Sequence, residues 1–392
     1  MQFKLSKIAS IIAASTLLTF AGCSGNGANN ASAPATVVPP TTELSPAADP
    51  RDSNNYILGA DISSYSEMLD KGVIFVDTDG EEKSLLALLK NHGFNSIRLR
   101  TFVDPAAPYG YASSNHCPGK LKDYNSKQDI VELAQQVKAA GMSLLLDFHY
   151  SDTWADPNKQ VIPQSWRHLA SVEDMADQLN AYTVDVMQAL ADVDALPAMV
   201  QVGNEITPGM LLHTPTDATD CYGNNSAYSQ NINGSSSNWE ALSTLLKAGI
   251  GGVKQVSPES KIMLHVENTE HLAGIIDWVN GAQSQGVEFD VLGLSAYEKW
   301  QGPSSAWPQT LESLGTTFPQ LTFSIVEYNP QRRLLNDIMY NLPDSRGVGT
   351  YFWEPALSGE WGQAMFTING NRYTAKPQDF AEYDKIKTDF GL

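Results

Sequence analysis

The feature that most limits what this chain can become is one unit repeated eight times, a short β-forming run followed by a longer segment. The β runs fall at residues 56–61, 96–101, 143–149, 198–205, 261–267, 291–297, 322–327 and 349–353. Amphipathic stretches lie between them. Ile130, Leu133, Ala134 and Val137 recur at helical spacing, with Gly141 as a stop. Met175, Leu179, Tyr182 and Val186 repeat the pattern, as do Trp239, Leu242, Leu246 and Val253. So do Leu272, Ile275, Ile276 and Val279, and Leu334, Leu335, Ile338 and Met339. Eight β/α units predict an α/β fold, a (β/α)8 TIM barrel in a single domain spanning 56–392. The rival is a doubly wound open sheet, which normally carries a glycine-rich phosphate loop after its first strand. Gly59-Ala-Asp-Ile-Ser-Ser-Tyr65 is not such a loop.

The segments before residue 56 are of a different kind. Lys4 and Lys7 precede an apolar run, Ile8 to Phe20, too short to span a membrane as a mature helix. The run ends in Leu18-Thr-Phe-Ala-Gly-Cys23, which resembles the lipobox of bacterial lipoproteins, with Phe20 where leucine is more usual. Residues 1–22 are therefore expected to be a signal peptide, with Cys23 lipidated. Ordinary secretion with cleavage nearby is the alternative. Residues 23–55 are rich in Ala, Ser, Asn, Thr and Pro and cannot bury enough apolar surface to offset their ordering entropy, so they are expected to form a flexible tether. The expected location is outside the cytoplasm, on a bacterial membrane and held only through the lipid.

Formal net charge is −19, and it falls further once Lys4 and Lys7 are removed. A polyanion would be repelled, and no basic patch marks a nucleic-acid partner. A monomer is expected. With Cys23 taken by the lipobox, Cys117 and Cys221 are an even pair in an exported protein. A disulfide between them is expected, with two thiols as the alternative. No CxxC or histidine spacing suits a metal.

In a barrel of this kind chemistry sits where the strands end. Here each strand ends in polar or aromatic residues. The first ends in Asp61, with Tyr65 beyond, and the second carries Arg98 and Arg100, which share a face. Asp147 and His149 share a face on the third, followed by Tyr150, Asp152 and Trp154. The fourth, Met199-Val-Gln-Val-Gly-Asn204-Glu205, is stopped by Pro208-Gly209. His265 and Glu267 end the fifth, Ser295 and Tyr297 the sixth, Glu327 the seventh, and Trp353-Glu354 the eighth. One or two such groups could be satisfied ion pairs, but barrel interiors are filled mainly by branched apolar side chains, and inward ionisable groups are costly unless they pair or react.

The residue types narrow the chemistry. Nothing resembles a nucleophile elbow, a phosphate loop or a nicotinamide fingerprint. Carboxylates and aromatic side chains dominate, including Trp154, Trp166, Trp300, Trp307, Trp353 and Trp361. Aromatic faces stack on sugar rings while carboxylates and amides bind hydroxyls. Two carboxylates flanking a glycosidic bond are the working parts of a glycoside hydrolase. Strands four and seven oppose each other in an eight-strand barrel, so Glu205 and Glu327 are the natural pair, with Glu267 as a lining carboxylate. A gap of about 5–5.5 Å would imply retention of configuration.

The chain resembles the glycoside hydrolase family 53 endo-β-1,4-galactanases. The resemblance is carried by His149-Tyr-Ser-Asp-Thr-Trp-Ala-Asp-Pro157, continued by Gln160, Pro163 and Trp166. Gly59-Ala-Asp-Ile-Ser, Asn95-Ser-Ile-Arg-Leu-Arg100, Val202-Gly-Asn-Glu-Ile206, Asp290-Val-Leu-Gly-Leu-Ser295 and Trp353-Glu-Pro355 agree in order. The resemblance implies a retaining endo-hydrolase of β-1,4-galactan, the side chain of pectic type I arabinogalactan. It implies Glu205 as acid/base and Glu327 as nucleophile. Arg98 resembles the arginine that keeps the nucleophile ionised, and Asn204 the residue that binds the sugar 2-hydroxyl. Tyr297 resembles the tyrosine that hydrogen-bonds the nucleophile, and Trp353 the platform under the reacting sugar. Asp61, Arg100, His149, Asp152 and Trp154 fall among the expected substrate-binding residues.

The sequence departs from the family in three places. Glu327-Tyr-Asn-Pro330 stands where a small residue, Gly and Tyr usually follow the glutamate, and Ser295-Ala-Tyr-Glu298 where Ser-Tyr-Tyr-Pro is usual. Only Ala356 to Gly362 fills the loop after strand eight, which in many bacterial members is long and can hold calcium. The shortening counts against a calcium site, and no cofactor is expected to be required. Another β-1,4-glycan, mannan or glucan, is the alternative substrate. A surface lipoprotein that only binds glycan is the alternative of another class.

Overall fold

The computed structural model describes residues 56–113, 120–217, 221–229 and 231–392. The signal peptide, Cys23, the tether and Cys117 lie outside the described residues, as therefore does any pairing of Cys117 with Cys221.

Eight parallel strands close into a barrel. They are β1 (Ile57–Asp61), β2 (Ser96–Thr101), β3 (Ser143–Phe148), β4 (Met199–Val202), β5 (Lys261–Val266), β6 (Val291–Ala296), β7 (Thr322–Tyr328) and β8 (Gly347–Trp353). Each pairs with its neighbours in chain order, and β1 closes on β8 with Asp61 opposite Trp353. The eight runs read from the sequence are these strands, with ends displaced by one to three residues, the most at β4, which stops at Val202.

The helices pack outside: α1 (Leu85–Asn91), α2 (Lys127–Ala139), α3 (Val172–Asp192), α4 (Trp239–Val256), α5 (Leu272–Ser284), α6 (Trp307–Thr317), α7 (Arg332–Tyr340) and α8 (Pro377–Phe390). Periodicity predicts five of them, and the structure adds α1, α6, α8 and a short helix after β1, Tyr65–Asp70. Serine caps fix three starts. Ser84, Ser126 and Ser171 each accept a hydrogen bond from the backbone N–H three residues on. Gly141, at φ +65, ends the turn after α2 as its position suggests. Helix α8 covers the side between α7 and α1. Its Tyr383 ring lies 4.3 Å from Phe94 and its Phe390 ring 5.4 Å from Tyr56.

Alternation along the strands separates two cores. Outward residues such as Leu58, Ile97, Leu146, Val200 and Leu264 pack under the helices in the main cluster. Inward residues form a small apolar plug of Leu145, Met199, Met263, Val291, Val326 and Tyr351. Tyr351 accounts for Gly59, since a Cβ there would lie 2.3 Å from the tyrosine ring. One turn nearer the carboxyl ends, the inward positions become Asp61, Arg98, Asp147, Gln201, His265 and Ser295, all with essentially no exposed surface. The barrel is therefore apolar in its lower half and ionic in its upper half.

Two small additions were not legible as periodicity. Ile74–Val76, Glu82–Lys83, Phe366–Asn369 and Arg372–Ala375 form a four-stranded sheet from the loops after β1 and β8. The long polar loop after β4 contains a hairpin, His213–Pro215 with Ser226–Tyr228, tied to the β3 loop by the Val161–His213 bridge.

Candidate active site

Arg98 organises the site. It is wholly buried and lies among the carboxylates of three strands. Its Nη1 donates to Glu327 Oε1 at 2.9 Å and to Asp61 Oδ2 at 3.0 Å. Its Nη2 donates to Asp147 Oδ2 at 2.8 Å and to Asn204 Oδ1 at 2.9 Å. A second tier lies beside it. Arg100 Nη1 donates to Glu354 Oε1 at 2.9 Å, and its guanidinium stacks over Trp154 at 4.1 Å. Trp154 and Trp353 meet with ring centroids 6.0 Å apart.

Glu327 reaches this network because β7 is irregular. The β6–β7 register passes from Leu294–Ile325 to Ser295–Glu327, so Val326 is an extra residue. Strict alternation would put Val326 and Glu327 on opposite faces. With the bulge, Val326 joins the barrel plug while Glu327 bonds Arg98 from β2 across the interior. The Tyr297 hydroxyl donates to Glu327 Oε2 at 3.3 Å. Burial pushes the Glu327 carboxyl from 4.5 up to about 7. Arg98 opposes that rise, and Asp147 and Asp61 add to it.

Glu205 arrives by a different route. β4 stops at Val202, and the chain turns through Gly203 at φ +84 and Glu205 at φ +47. A left-handed glutamate costs about 1 kcal/mol or more and persists only when its surroundings fix it. Here the Gln160 side-chain amide donates to the Asn204 carbonyl at 2.9 Å, the Ile206 N–H to the His265 carbonyl at 2.9 Å, and the Asn204 side chain to the Ala155 carbonyl at 2.8 Å. Ser295 donates to Glu205 Oε1 at 2.6 Å. Burial raises the Glu205 carboxyl well above the ordinary value, and the nearby charges of Glu327 and Glu267 raise it further.

The two glutamates thus differ in their support. Glu327 holds a charge-assisted bond from a guanidinium, whereas Glu205 holds a bond from a neutral hydroxyl. A proton shared between the two carboxylates belongs on Glu205.

Several residues read as sugar-contacting from sequence take another place. Asp61 has no exposed surface, and its oxygens are taken by Ser63, Arg98 and Arg100. Arg98 and Arg100 are sealed beneath the site in the same way. Asp152 accepts the Asp104 N–H at 3.0 Å and the Gln164 N–H at 2.6 Å, which ties the β2 and β3 loops together. The polar atoms of Asp61, Arg98 and Asp152 are bonded to protein partners, whereas Arg100 keeps a buried Nε without a partner. His149 Nδ1 accepts the Ala155 N–H at 2.9 Å, leaving its Nε2, 3.0 Å from Asp147, against the network. Tyr297 bonds Glu327 directly, Asn204 shares Arg98 with it, and Trp353 lies 5.5 Å from the Arg98 guanidinium, with Trp154 beyond. Glu267 is buried, with the Thr207 hydroxyl donating to it at 2.6 Å.

Sequence reading gave no role to Gln201, yet its amide joins Arg98, Asp147 and Asn204. The signal was a polar residue at an inward position of an otherwise apolar strand. Among the described residues, no group of His, Cys, Asp or Glu is disposed to hold a metal ion.

Comparison with known proteins agrees with the barrel. An arabinogalactan endo-β-1,4-galactanase from Thermothelomyces thermophilus is 29% identical over 332 residues, covering 76% of this chain and 89% of its own. The solved Ignisphaera aggregans GH53 catalytic domain superposes with a TM-score of 0.70 at 26% identity, covering 84% of this chain and 95% of its own. A structure from a study of two fungal β-1,4-galactanases gives 0.67 at 26% identity, covering 83% and 98%. The model of glycosyl hydrolase family 53 matches residues 57–333. With the barrel, the paired glutamates and that match in hand, the chain belongs to glycosyl hydrolase family 53.

Proposed function

We propose that the protein is an endo-β-1,4-galactanase that cleaves galactan by double displacement, with Glu327 as nucleophile and Glu205 as acid/base. The observation that carries this reading is the unequal support of two neighbouring carboxylates, Arg98 on Glu327 and only Ser295 on Glu205. Glu327, ionised against Arg98, attacks the anomeric carbon while Glu205 protonates the departing oxygen. The ionised Glu205 then takes a proton from the water that releases the glycosyl-enzyme. The Tyr297 hydroxyl bonds the Glu327 oxygen remote from Arg98 and aims the other at the sugar. Trp353 and Trp154 offer apolar faces beside the pair, and Arg100 holds Trp154 in place. Asn204 has one Nδ2 hydrogen on Ala155 and a second for a sugar hydroxyl.

The test is hydrolysis of β-1,4-galactan by protein lacking residues 1–23. Glu327→Ala and Glu205→Gln should each lose at least about 10³-fold in kcat/KM. NMR of the first product should show the β-anomer. Near-wild-type activity in either variant, or the α-anomer, refutes the assigned roles. The altered residues after β6 and β7 make a polysaccharide panel part of the same test. Activity on mannan or glucan with none on galactan would move the substrate while keeping the mechanism.

We also propose that the chain is exported and anchored through Cys23. Labelled palmitate should enter the wild-type protein and not Cys23→Ala, which should be released in soluble form. Labelling of the variant would overturn the anchor.

A further inference from the structure

Beneath Glu205 lies a chain of hydrogen bonds that the reaction above does not use. Ser295 Oγ lies 2.6 Å from Glu205 Oε1 and 2.9 Å from His265 Nε2. His265 Nδ1 lies 2.9 Å from Asn204 Oδ1, which also accepts from Arg98 Nη2 at 2.9 Å. All these groups except the Glu205 side chain are buried. Ser295 is on β6, His265 on β5 and Glu205 beyond β4, so three adjacent strands deliver them.

The hydrogens can be assigned from these contacts. Asn204 is oriented by Arg98, which needs an oxygen facing it, and by the Ala155 carbonyl, which needs the amide N–H. Asn204 therefore presents an acceptor to His265 Nδ1. Two lone pairs would repel at 2.9 Å, so Nδ1 carries the hydrogen. Gln201 Nε2 is 3.2 Å from Nδ1, but its two hydrogens have nearer acceptors in Asp147 Oδ1 at 2.7 Å, Asn204 Oδ1 at 3.0 Å and the Gly203 carbonyl at 3.1 Å. His265 is kept neutral by its burial, with Arg98 and His149 adding to the effect. Nε2 is then a buried acceptor, and among the described residues the donor within reach is the single hydrogen of Ser295.

That hydrogen has two claimants. When Glu205 is protonated, its own O–H donates to Ser295 Oγ and the serine donates to His265 Nε2, so every group is satisfied. When Glu205 gives up its proton, the serine hydrogen must turn to the carboxylate, and Nε2 loses its partner. A buried acceptor left unpaired is costly.

We propose that Ser295 is a one-hydrogen rotor between Glu205 and His265, and that His265 acts through it as a positioning residue favouring the protonated form of Glu205. This rests on Glu205 being the proton donor of the proposed reaction. It gives that residue a reason to hold a proton while Glu327, bonded to Arg98, does not. The acidic neighbours of Glu205, namely Glu327, Glu267 and Asp156, push in the same direction. They remain in place in every variant below, as do Arg98 and His149 beside the imidazole.

The experiment is the pH profile of kcat/KM on β-1,4-galactan in a double-mutant cycle, read beside ¹⁵N NMR of histidine-labelled enzyme. His265→Asn removes Nε2, leaves the serine hydrogen to Glu205, and should move the basic limb down by about one pH unit or more. In a Ser295→Ala background the same substitution should leave the limb where Ser295→Ala puts it. Ser295→Thr should keep the wild-type profile. A purely structural role for His265 would instead lower activity without this dependence on Ser295. By NMR, wild-type His265 should remain the Nδ1–H tautomer, and its Nε2 signal should titrate with Glu205 and stop doing so in Ser295→Ala. The NMR arm needs no turnover and stands if a variant fails to fold. If galactan is cleaved and Glu205 is essential, but the Nε2 signal ignores the Glu205 titration, the rotor is wrong. If the signal follows Glu205 and galactan is untouched, the rotor stands and the proposed function falls.

Discussion

At Arg98 one cation answers three carboxylates, Asp61, Asp147 and Glu327, and that imbalance governs the residue-scale behaviour of the site. A buried ion pair is weak evidence of stability, but removing one partner strands the others and costs about 3–5 kcal/mol. Arg98→Met should therefore lower the unfolding free energy measured in urea by that order as well as abolish activity, whereas Tyr297→Phe should impair turnover with little loss of stability. The pH dependence follows from the same crowding. In the proposed reaction Glu327 must be ionised to attack, and burial lifts it from 4.5 to about 7. Rate is lost as pH falls and Glu327 takes up a proton, so the acid limb of kcat/KM should lie near pH 7 and not in the ordinary carboxylate range. In the same proposed reaction Glu205 must be protonated, and burial with the charge of Glu327 raises it well above its ordinary value, so the basic limb is also moved upward. An acid limb near pH 4 would show that Arg98 outweighs burial. The residues of this network were legible as types, since polar side chains at inward positions of apolar strands stand out. Which of them meet sugar and which brace the others was not, because Asp61 and Trp353 both look like strand-end residues and only their partners tell them apart.

Element by element, the strand tips do the aiming, and they do it by departing from regular geometry. β4 ends in two left-handed residues, Gly203 and Glu205, and β7 carries a bulge at Val326. Gly203→Ala would place a Cβ 2.7 Å from the Ile206 side chain in a conformation that alanine resists. It should cost about 1–2 kcal/mol in thermal or urea unfolding and a larger factor in kcat than in KM, because the Glu205 turn shifts while Trp353 and Trp154 remain. An unchanged kcat would mean that the turn tolerates the shift. The strands themselves were readable because their apolar runs end abruptly. The bulge was not, since alternation along residues 322–328 gives no sign that Val326 and Glu327 both face inward. Helix α1 escaped the periodicity reading because it spans only Leu85–Asn91, whereas α6, with Trp307, Leu311 and Leu314 at helical spacing, carried a readable signal. Helix α8, with Phe380, Tyr383, Ile386 and Phe390 at helical spacing, carried a readable signal that was not used.

Taken whole, the molecule is a barrel closed by residues far apart in the chain, with β1 pairing β8 and α8 packed against Phe94 and Tyr56. Deleting residues 377–392 should thus expose the apolar flank under α8 and abolish soluble, protease-resistant protein, even though those residues lie beyond the family match and far from the glutamates. A truncated protein that stayed folded and active would show that the flank is self-sufficient. By itself the sequence determined the barrel and the rim at which its polar residues gather, because strand periodicity is local and eight polar strand ends on one fold can face only one rim. What the tertiary structure alone decided was the direction of each side chain at that rim. Burial, a register shift and competition for shared hydrogen-bond partners depend on residues that meet only when the barrel closes.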